Sequence, residues 1–251
     1  MQEDIRNRQD RSYRQEQQQD MADISLFPDG VDLVITAVER HPKQRGQYQV
    51  SFGEYMLLIH EDTMIKYRML KGSIFTKQEL EEIVLANEKQ RAYVQALKYL
   101  ERKQRTKKEL AERLRQKDFG QAVTEQALDR LEREGLINDE LYAKQWAEQR
   151  ISSQKKGRAW VKQELRQKGV DSLLISEALA EVSEEQEFES CLAVGRKKWR
   201  QTRGECMDKK RKTGAFLMRR GFSGELVRKV INELVREDGE ADENEEPFAF
   251  D

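Results

Sequence analysis

The sequence predicts a mainly α-helical chain: three tandem three-helix repeats that form an elongated solenoid, preceded by a small β-rich N-terminal segment. Hydrophobic and charged residues each make up 37% of the 251 residues, which argues against one deep core and for small helical units that each bury one stripe. None of the three prolines lies between positions 43 and 246, so long helices are permitted. One basic phrase also occurs three times, about fifty residues apart.

The part before the repeats divides into a polar tail and a β-rich segment. Residues 1–25 are rich in Gln, Arg and Asp with almost no apolar content, which predicts a disordered tail. In the segment 26–88, "DLVITAVER" and "QYQVSF" have the composition of strands, and "EYMLLIH" is placed to return. We expect a short β-meander, which needs a covering helix because so few strands are not stable alone.

Helical periodicity begins at Thr76, and two helix starts have the same signature. Thr76 is followed three residues later by Glu79, and Thr106 is followed three residues later by Glu109. This spacing is that of a capping box, in which the threonine and the glutamate satisfy backbone N–H groups reciprocally. We therefore expect helices to begin at both threonines.

The repeated phrase aligns on Leu114, Leu165 and Leu217. At five aligned positions, including these leucines, all three copies carry an apolar residue, which is the signature of stacked supersecondary units. Each unit has one helix before the phrase, one that carries it and one after it. The predicted repeats are 89–137, 138–186 and 187–236, followed by an acidic disordered tail at 237–251.

The ends of the phrase predict where its helix stops. Gly169 and Gly221 occupy the position of a left-handed C-cap, and the first copy has Asp118 there. Asp171 and Ser223 follow as good N-caps for the third helices of their units.

Charge recurs in phase with the repeat. Basic residues outnumber acidic ones by ten to four in 91–119, by eight to two in 144–170 and by eleven to two in 196–220. Acidic residues outnumber basic ones by six to two in 120–143, by seven to none in 171–190 and by nine to three in 223–246. Charged helix faces are often only solvated. Recurrence in phase nevertheless favours one basic side that binds a polyanion, either nucleic acid or an acidic protein surface.

Signatures of catalysis, of cofactor binding and of membrane insertion are missing from the sequence. It contains neither GxxxxGK[ST] nor GxGxxG, and His41, His60, Cys191 and Cys206 show no metal-ligand spacing. We expect no enzyme activity, no cofactor and no metal. The longest apolar run, "VDLVITAV", is far too short to span a membrane, and two thiols suit a reducing cytoplasm, so we expect a cytoplasmic protein.

The stretch "GLINDELYAKQWAEQRISSQKKGRAWVKQELRQKGVD" (135–171) closely resembles the RecX family of bacterial regulatory proteins. The matching elements are "GLIND", the Tyr142-Ala143 pair, Arg150, "KGR" and "QELRQKG". The flanking copies match the family's tandem three-helix units, so the resemblance covers about residues 90–236. The β-rich segment looks like the N-terminal extension of RecX proteins from low-GC Gram-positive bacteria. The third copy departs by a long basic insert, "RQTRGECMDKKRKTG".

The resemblance implies a regulator of the RecA recombinase in recombinational DNA repair and the SOS response. Such proteins bind the RecA filament on single-stranded DNA and restrain its ATPase, its growth and strand exchange. We expect a monomer whose partner is that filament and which binds single- or double-stranded DNA weakly. Two alternatives stay open: a direct DNA-binding protein of tandem helix-turn-helix-like units, against which the acidic third helices argue, and an inert scaffold.

The residues predicted to contact the partner are basic members of the second helices and two lysines that lead into the middle one. Their proposed role is electrostatic contact with acidic recombinase surface or DNA phosphate. They are Arg113, Arg115, Lys117, Lys155, Lys156, Arg158, Lys162, Arg166, Lys168, Arg219 and Arg220. Among the tryptophans, Trp160 is the one to test as a base-stacking residue, although tryptophan at helical spacing more often belongs to a core.

Overall fold

The structure, a computed structural model, describes residues 24–243. The predicted mainly α-helical fold with three three-helix repeats and a small β-rich segment is confirmed. The chain packs as two compact units: residues up to Arg102 with Ala111–Arg133, and Lys103–Leu110 with the residues from Glu134 onward. The elongated form of the solenoid stays a prediction, and most of the predicted N-terminal tail, residues 1–23, lies outside the described residues.

The elements follow in chain order, and the β-rich part comes first. After a 3-10 turn at Ile24–Leu26, it contains β1 (Leu33–Val34), β2 (Ala37–Arg40), β3 (Gln47–Phe52), β4 (Tyr55–His60), α1 (Glu61–Lys66) and β5 (Ile74–Phe75). The repeats contain α2 (Lys77–Leu100), α3 (Lys107–Arg115), α4 (Gln121–Arg133), α5 (Asp139–Glu148), α6 (Arg158–Gln167), α7 (Ser172–Glu181), α8 (Glu184–Gln201), α9 (Cys206–Arg219) and α10 (Gly224–Glu243). A π-helical turn, Gln149–Ser153, extends α5.

The strands form two small antiparallel sheets, of which one is the expected meander. Strands β2, β3 and β4 are neighbours in that order, and β1 pairs with β5. The stretch expected as one strand, "DLVITAVER", is divided between the sheets. Its backbone changes partner in the middle: Ile35 bonds to Ser73, and Thr36 bonds to Ser51. Ile35 is fully buried at this crossing point, which holds the two sheets together.

Helix α2 both covers the meander and opens the first repeat. Its N-terminus has the predicted capping box, with Thr76 accepting from the backbone N–H of Glu79. Asn87 donates to the carbonyl of Leu58 and accepts from the N–H of His60, so it fixes the helix to β4. The helix runs through the boundary predicted between residues 88 and 89, because no Gly or Pro interrupts it.

Each of the second and third repeats has its own hydrophobic core. In the second, Val161 and Leu165 of α6 pack with residues of α5 and α7, and in the third, Leu217 of α9 packs with residues of α8 and α10. The three aligned leucines, Leu114, Leu165 and Leu217, are completely buried, which confirms the register of the repeat. In the described chain, no helix is both long enough and apolar enough to cross a membrane.

The predicted helix ends are confirmed at the second helices. Asp118, Gly169 and Gly221 all have positive φ, of 63°, 79° and 88°. Asp171 then accepts from the backbone N–H of Leu173, and the Ser223 hydroxyl accepts from that of Leu226.

The last helix is longer than expected. Helix α10 continues to Glu243, past the predicted start of the acidic tail at 237. Glu237 and Asp238 form ion pairs with Arg196 of α8 and Lys209 of α9, and these contacts favour continued helix in an otherwise acidic run. Residues 244–251 of the predicted tail lie outside the described part of the chain.

Candidate polyanion-binding surface

The eleven basic residues predicted to bind a partner do not form one class in the structure. Six are exposed, while Lys155, Lys156, Arg158, Lys168 and Arg220 are half-buried. Among the half-buried set, Lys168, Arg220 and Arg158 have partners within the protein.

Lys168 joins the second repeat to the start of α3. Its ammonium nitrogen lies 2.7 Å from Oε1 of Glu109, and the Thr106 hydroxyl donates to its backbone carbonyl at 2.7 Å. Burial works against the charge of Lys168, but Glu109 and the Tyr142 hydroxyl outweigh it, and the pKa of Lys168 is raised. Burial also opposes ionisation of Glu109, yet the lysine and the capping hydrogen bond lower the pKa of this carboxyl. The pair is therefore ionised on both sides at neutral pH.

Arg220 joins the third repeat to the second. Its guanidinium donates to the carbonyls of Lys155 and Gln154 at 3.0 and 2.7 Å, and its own carbonyl accepts from the N–H of Gly157 at 2.9 Å. The backbones are too close here for a side chain. A Cβ on Gly157 would lie 2.1 Å from the carbonyl oxygen of Gly221.

These two joints lie at equivalent positions of their repeats, although their bonds differ. Lys168 and Arg220 each follow the aligned leucine of their helix by three residues, and Thr106 and Gly157 each precede theirs by eight. In both cases the C-terminal end of one second helix meets the N-terminal end of the second helix before it. At one joint the carbonyl of Arg220 accepts from the N–H of Gly157, and at the other the carbonyl of Lys168 accepts from the Thr106 hydroxyl. Lys168 and Arg220 thus have structural roles within the protein, and their contact with a partner stays a prediction.

Arg158 has a comparable internal role. Its guanidinium donates to the carbonyl of Val182 and lies 2.9 Å from a carboxylate oxygen of Glu187, while its backbone N–H donates to the same carboxylate. Because Glu187 is buried at the start of α8, this arginine neutralises it and ties α6 to the third repeat. Arg158 is therefore held by partners within the protein, and its contact with an external partner stays a prediction.

A glutamate organises the aromatic residues beside α6. The Glu164 carboxylate accepts from the indole N–H groups of Trp146 and Trp160 at 2.9 and 3.0 Å, and from Nε of Arg150 at 2.8 Å. Burial opposes its charge, but these donors lower the pKa of Glu164. Sequence reasoning missed this residue because it is an acid within a basic helix.

Trp160 is the exposed member of this group. Trp146 packs against the core of the second repeat and Trp199 is buried, whereas 37% of Trp160 is exposed. The Lys156 ammonium lies 3.7 Å from the centre of the Trp160 ring, within range of a cation–π contact. Desolvation and the nearby Arg220 lower the pKa of this lysine.

Six predicted cations are exposed: five lie on the second helices, and Lys117 lies in the turn that follows α3. Lys162 and Arg166, four residues apart on α6, share one helix face. The Arg113 guanidinium lies 5.5 Å from the centre of the Tyr99 ring. The exposed set is Arg113, Arg115, Lys117, Lys162, Arg166 and Arg219. Such side chains can attract anionic groups by electrostatics alone, without a catalytic step.

The histidines and cysteines have ordinary surroundings. The His60 side chain accepts from the N–H of Asp62 and caps α1, and that of His41 accepts from Gln44. Cys191 is buried, which raises the pKa of its thiol to about 12, and Cys206 is exposed. Within residues 24–243, no three His, Cys, Asp or Glu side chains are grouped so that they could hold a metal.

The repeats and this surface define the class: a helical-repeat protein that presents cations on consecutive second helices. Models of the first, second and third three-helix domains of RecX match residues 92–131, 138–179 and 184–231. The chain belongs to the RecX family.

Similar proteins and structures agree with this assignment. A regulatory protein RecX from Bacillus cereus is 32% identical over 207 residues, covering 80% of this chain and 77% of its own. One from Bacillus cytotoxicus is 29% identical over 218 residues, covering 84% and 81%. A crystal structure of regulatory protein RecX matches with a TM-score of 0.66 and 25% identity, over 80% of this chain and 99% of the other. The structure of RecX from Lactobacillus salivarius gives 0.57 and 27%, over 59% and 97%.

Proposed function

We propose that this protein binds the RecA filament on single-stranded DNA and restrains its ATPase, its growth and strand exchange, with no catalytic step of its own. It acts in the cytoplasm, as a monomer, in recombinational repair. Family membership supports the regulatory role. The observation that supports the surface is the exposed pair Lys162 and Arg166 on α6. This helix is bonded at its C-terminal end to the start of α3 and at its N-terminal end to the end of α9.

The separation of anchored from exposed cations explains how such binding works. Arg220 and the backbone of Gly157 tie α6 to α9, so the exposed cations Lys162, Arg166 and Arg219 are carried by two helices in direct contact rather than by independent segments. Each exposed contact contributes little alone. Several contacts made at once by a fixed array raise the overall affinity, since later contacts form at high effective concentration.

A charge-reversal experiment tests the surface. We expect Lys162→Glu with Arg166→Glu to weaken inhibition of the RecA ATPase by about tenfold or more, because it replaces attraction by repulsion on the exposed face of α6. The matched control is Arg228→Glu with Lys229→Glu, which reverses two exposed cations on α10, a third helix. Both variants should keep the circular dichroism of the parent. Undiminished inhibition by the α6 variant, or equal loss in both, rejects this surface.

Co-sedimentation separates the proposal from direct DNA binding. A filament regulator pellets with RecA assembled on DNA and only weakly with DNA alone. Tight binding to bare duplex, with a steep dependence on salt, favours the alternative of a direct DNA-binding protein. The acidic third helices favour the proposal of filament binding over direct DNA binding. A helix that reads DNA carries residues that contact phosphates and bases, and acidic side chains repel phosphates.

A further inference from the structure

Trp160 presents a flat aromatic ring at the surface of the second repeat. The residue is 37% exposed, and its indole N–H donates to Oε1 of Glu164, four residues further along α6, at 3.0 Å. The same carboxylate accepts from Trp146 and Arg150, which fixes its position. The ring of Trp160 is therefore held at the surface with its one polar atom satisfied. What remains for a ligand is the π face of the indole.

The charge beside this ring is predominantly positive. The Lys156 ammonium lies 3.7 Å from the ring centre. Desolvation lowers the pKa of Lys156, and repulsion from Arg220 and Arg150 acts in the same direction. Glu164, the acid that opposes this shift, is already bound by Arg150 and by two indole groups. An additional anion beside the ring would therefore stabilise the charged lysine.

The loop before α6 is built so that Lys156 reaches the ring. Lys155 has a φ of 55°, in the left-handed region that residues other than glycine rarely adopt. The Arg220 guanidinium donates to the carbonyls of Gln154 and Lys155 at 2.7 and 3.0 Å. The backbone N–H of Lys156 donates to the carbonyl of Arg150 at 3.0 Å. Hydrogen bonds on both sides thus hold the backbone that carries this lysine.

Packing of the repeats does not require a tryptophan at this position. Trp160 lies five residues before the aligned leucine of its repeat, and the equivalent positions hold Glu109 in the first repeat and Lys212 in the third. Both of those residues are polar, although their helices belong to equivalent three-helix units. The exposed indole is therefore a feature of the second repeat and not of the repeat fold.

The ring and the ammonium together select one class of ligand. A basic partner would be repelled by Lys156 and Arg220, and an acidic protein surface would pair with the lysine but leave the aromatic face unused. A nucleotide uses both groups, since its phosphate pairs with the ammonium and its base stacks on the indole. Bases in a duplex are already stacked on one another, so a single strand is the form that offers a free base.

We propose that Trp160 and Lys156 bind one nucleotide of single-stranded DNA, with a base replacing the ammonium on the face of the indole and the ammonium moving to the adjoining phosphate. Glu164 is a positioning residue, because it sets the plane of the ring. The inference rests on the proposed function only for the source of the strand, which is the DNA that carries the filament. The site itself belongs to the free protein.

Tryptophan emission of the full-length protein tests the stacking. Titration with an oligothymidylate should quench the emission, because a base stacks on the exposed indole. Most of this quenching should be lost in Trp160→Phe and kept in Trp199→Phe, which removes a buried indole of the third repeat. Inorganic polyphosphate, which has no bases, should quench far less. Quenching that survives Trp160→Phe, or that polyphosphate reproduces in full, contradicts the proposal.

An abasic strand of the same length separates stacking from charge. Trp160→Ala should weaken binding of the oligothymidylate by roughly five- to fiftyfold at low salt, and binding of the abasic strand by less than about twofold. Trp160→Phe keeps an aromatic face and should retain most of the affinity. The matched control is Leu173→Ala, which removes an exposed apolar side chain of α7. Equal losses for the two strands would show that the indole does not stack on a base.

Lys156→Gln tests the phosphate contact. It should weaken binding of both strands and lower the slope of log affinity against log salt by about 0.7, the value for one phosphate of a single strand. An unchanged slope rules out the contact between this lysine and a phosphate.

Filament binding by the same variants distinguishes the two proposals. A protein that stacks on the oligothymidylate but does not bind RecA filaments keeps this site and refutes the proposed function. A protein that inhibits RecA but shows no quenching by the oligothymidylate keeps the proposed function and refutes this site. If Trp160→Ala loses filament binding while its affinity for the oligothymidylate is unchanged, the ring contacts protein and the nucleotide site is refuted.

Discussion

The backbone N–H of Gly157 donates to the carbonyl oxygen of Arg220 at 2.9 Å, at a point where a side chain on Gly157 would overlap Gly221. The N–H of Ala159 bonds to the carbonyl of Gly221 at 3.2 Å beside it. This joint between the second and third repeats therefore combines two backbone–backbone hydrogen bonds with two that the Arg220 guanidinium donates. Its close approach also requires that position 157 carry no side chain.

Gly157→Ala should destabilise the protein by about 2 kcal/mol or more, because the new methyl group meets backbone, which has no rotamer to change. Urea unfolding followed by circular dichroism measures this difference. Gly224→Ala is the matched control, since its Cβ meets only the Met218 sulfur at 4.0 Å. Equal stability of the two variants would show that the close approach is not maintained in solution.

Lys168→Ala should cost about 1–2 kcal/mol of unfolding free energy, whereas Lys162→Ala should be nearly neutral. Both lysines belong to the same phrase, but the Lys168 ammonium is paired with Glu109 and lies 4.4 Å from the centre of the Trp146 ring. Thermal and urea unfolding of the two variants test the distinction. Comparable losses of unfolding free energy would show that the two lysines have the same structural role.

The Glu109–Lys168 pair gives a defined dependence of stability on pH. The pKa of Glu109 is lowered by folding, so its contribution is present above its ordinary value and is lost as pH falls through the folded value. The pKa of Lys168 is raised, so its contribution is complete below its ordinary value and is lost as pH rises through the folded one. The stability difference between parent and Glu109→Gln should thus be constant from about pH 6 to 9 and shrink below about pH 4.5. A difference that grows on acidification contradicts this assignment.

Glu164→Gln should loosen the aromatic cluster and cost about 1–2 kcal/mol, because three donors lose their shared carboxylate. Tryptophan emission should change in the folded state, since two of the indole N–H groups are affected. Glu148→Gln, an exposed acid in the same repeat, serves as control. Unchanged emission with unchanged stability would exclude a role for Glu164 as the organiser of the cluster.

Adding Arg158→Glu to the variant Lys162→Glu with Arg166→Glu should lower the melting temperature, whereas the double variant should melt like the parent. The extra change places a carboxylate against buried Glu187 and removes the donor to Val182. Differential scanning fluorimetry compares the three proteins. Identical melting of the double and triple variants would return Arg158 to the exposed class.

The apolar register and the caps were predictable because they depend on local spacing. Leu165 indicates a buried stripe, and Gly169, four residues later, indicates a helix end. The same spacing recurs at Leu217 and Gly221. The role of each cation was not predictable in the same way. Lys162 and Lys168 look alike in sequence, and what separates them is the position of Glu109, 59 residues earlier.

Two other differences between the predicted and the observed structure also depend on residues that are distant in sequence. Whether "DLVITAVER" forms one strand or two is decided by Ser73 and Ser51, which lie on segments distant in sequence. The continuation of α10 beyond residue 236 depends on Arg196 and Lys209, also far along the chain. A run of acids alone favours an extended, solvated chain. Tertiary partners reversed that preference locally.

At the joint of Gly157 and Gly221, hydrogen bonds between peptide groups fix the distance between α6 and α9. Substitutions among the exposed cations change how strongly the surface attracts an anionic partner. They do not change the distance between α6 and α9, because backbone contacts set that distance. The strength of electrostatic attraction and the spacing of the two helices can therefore vary independently.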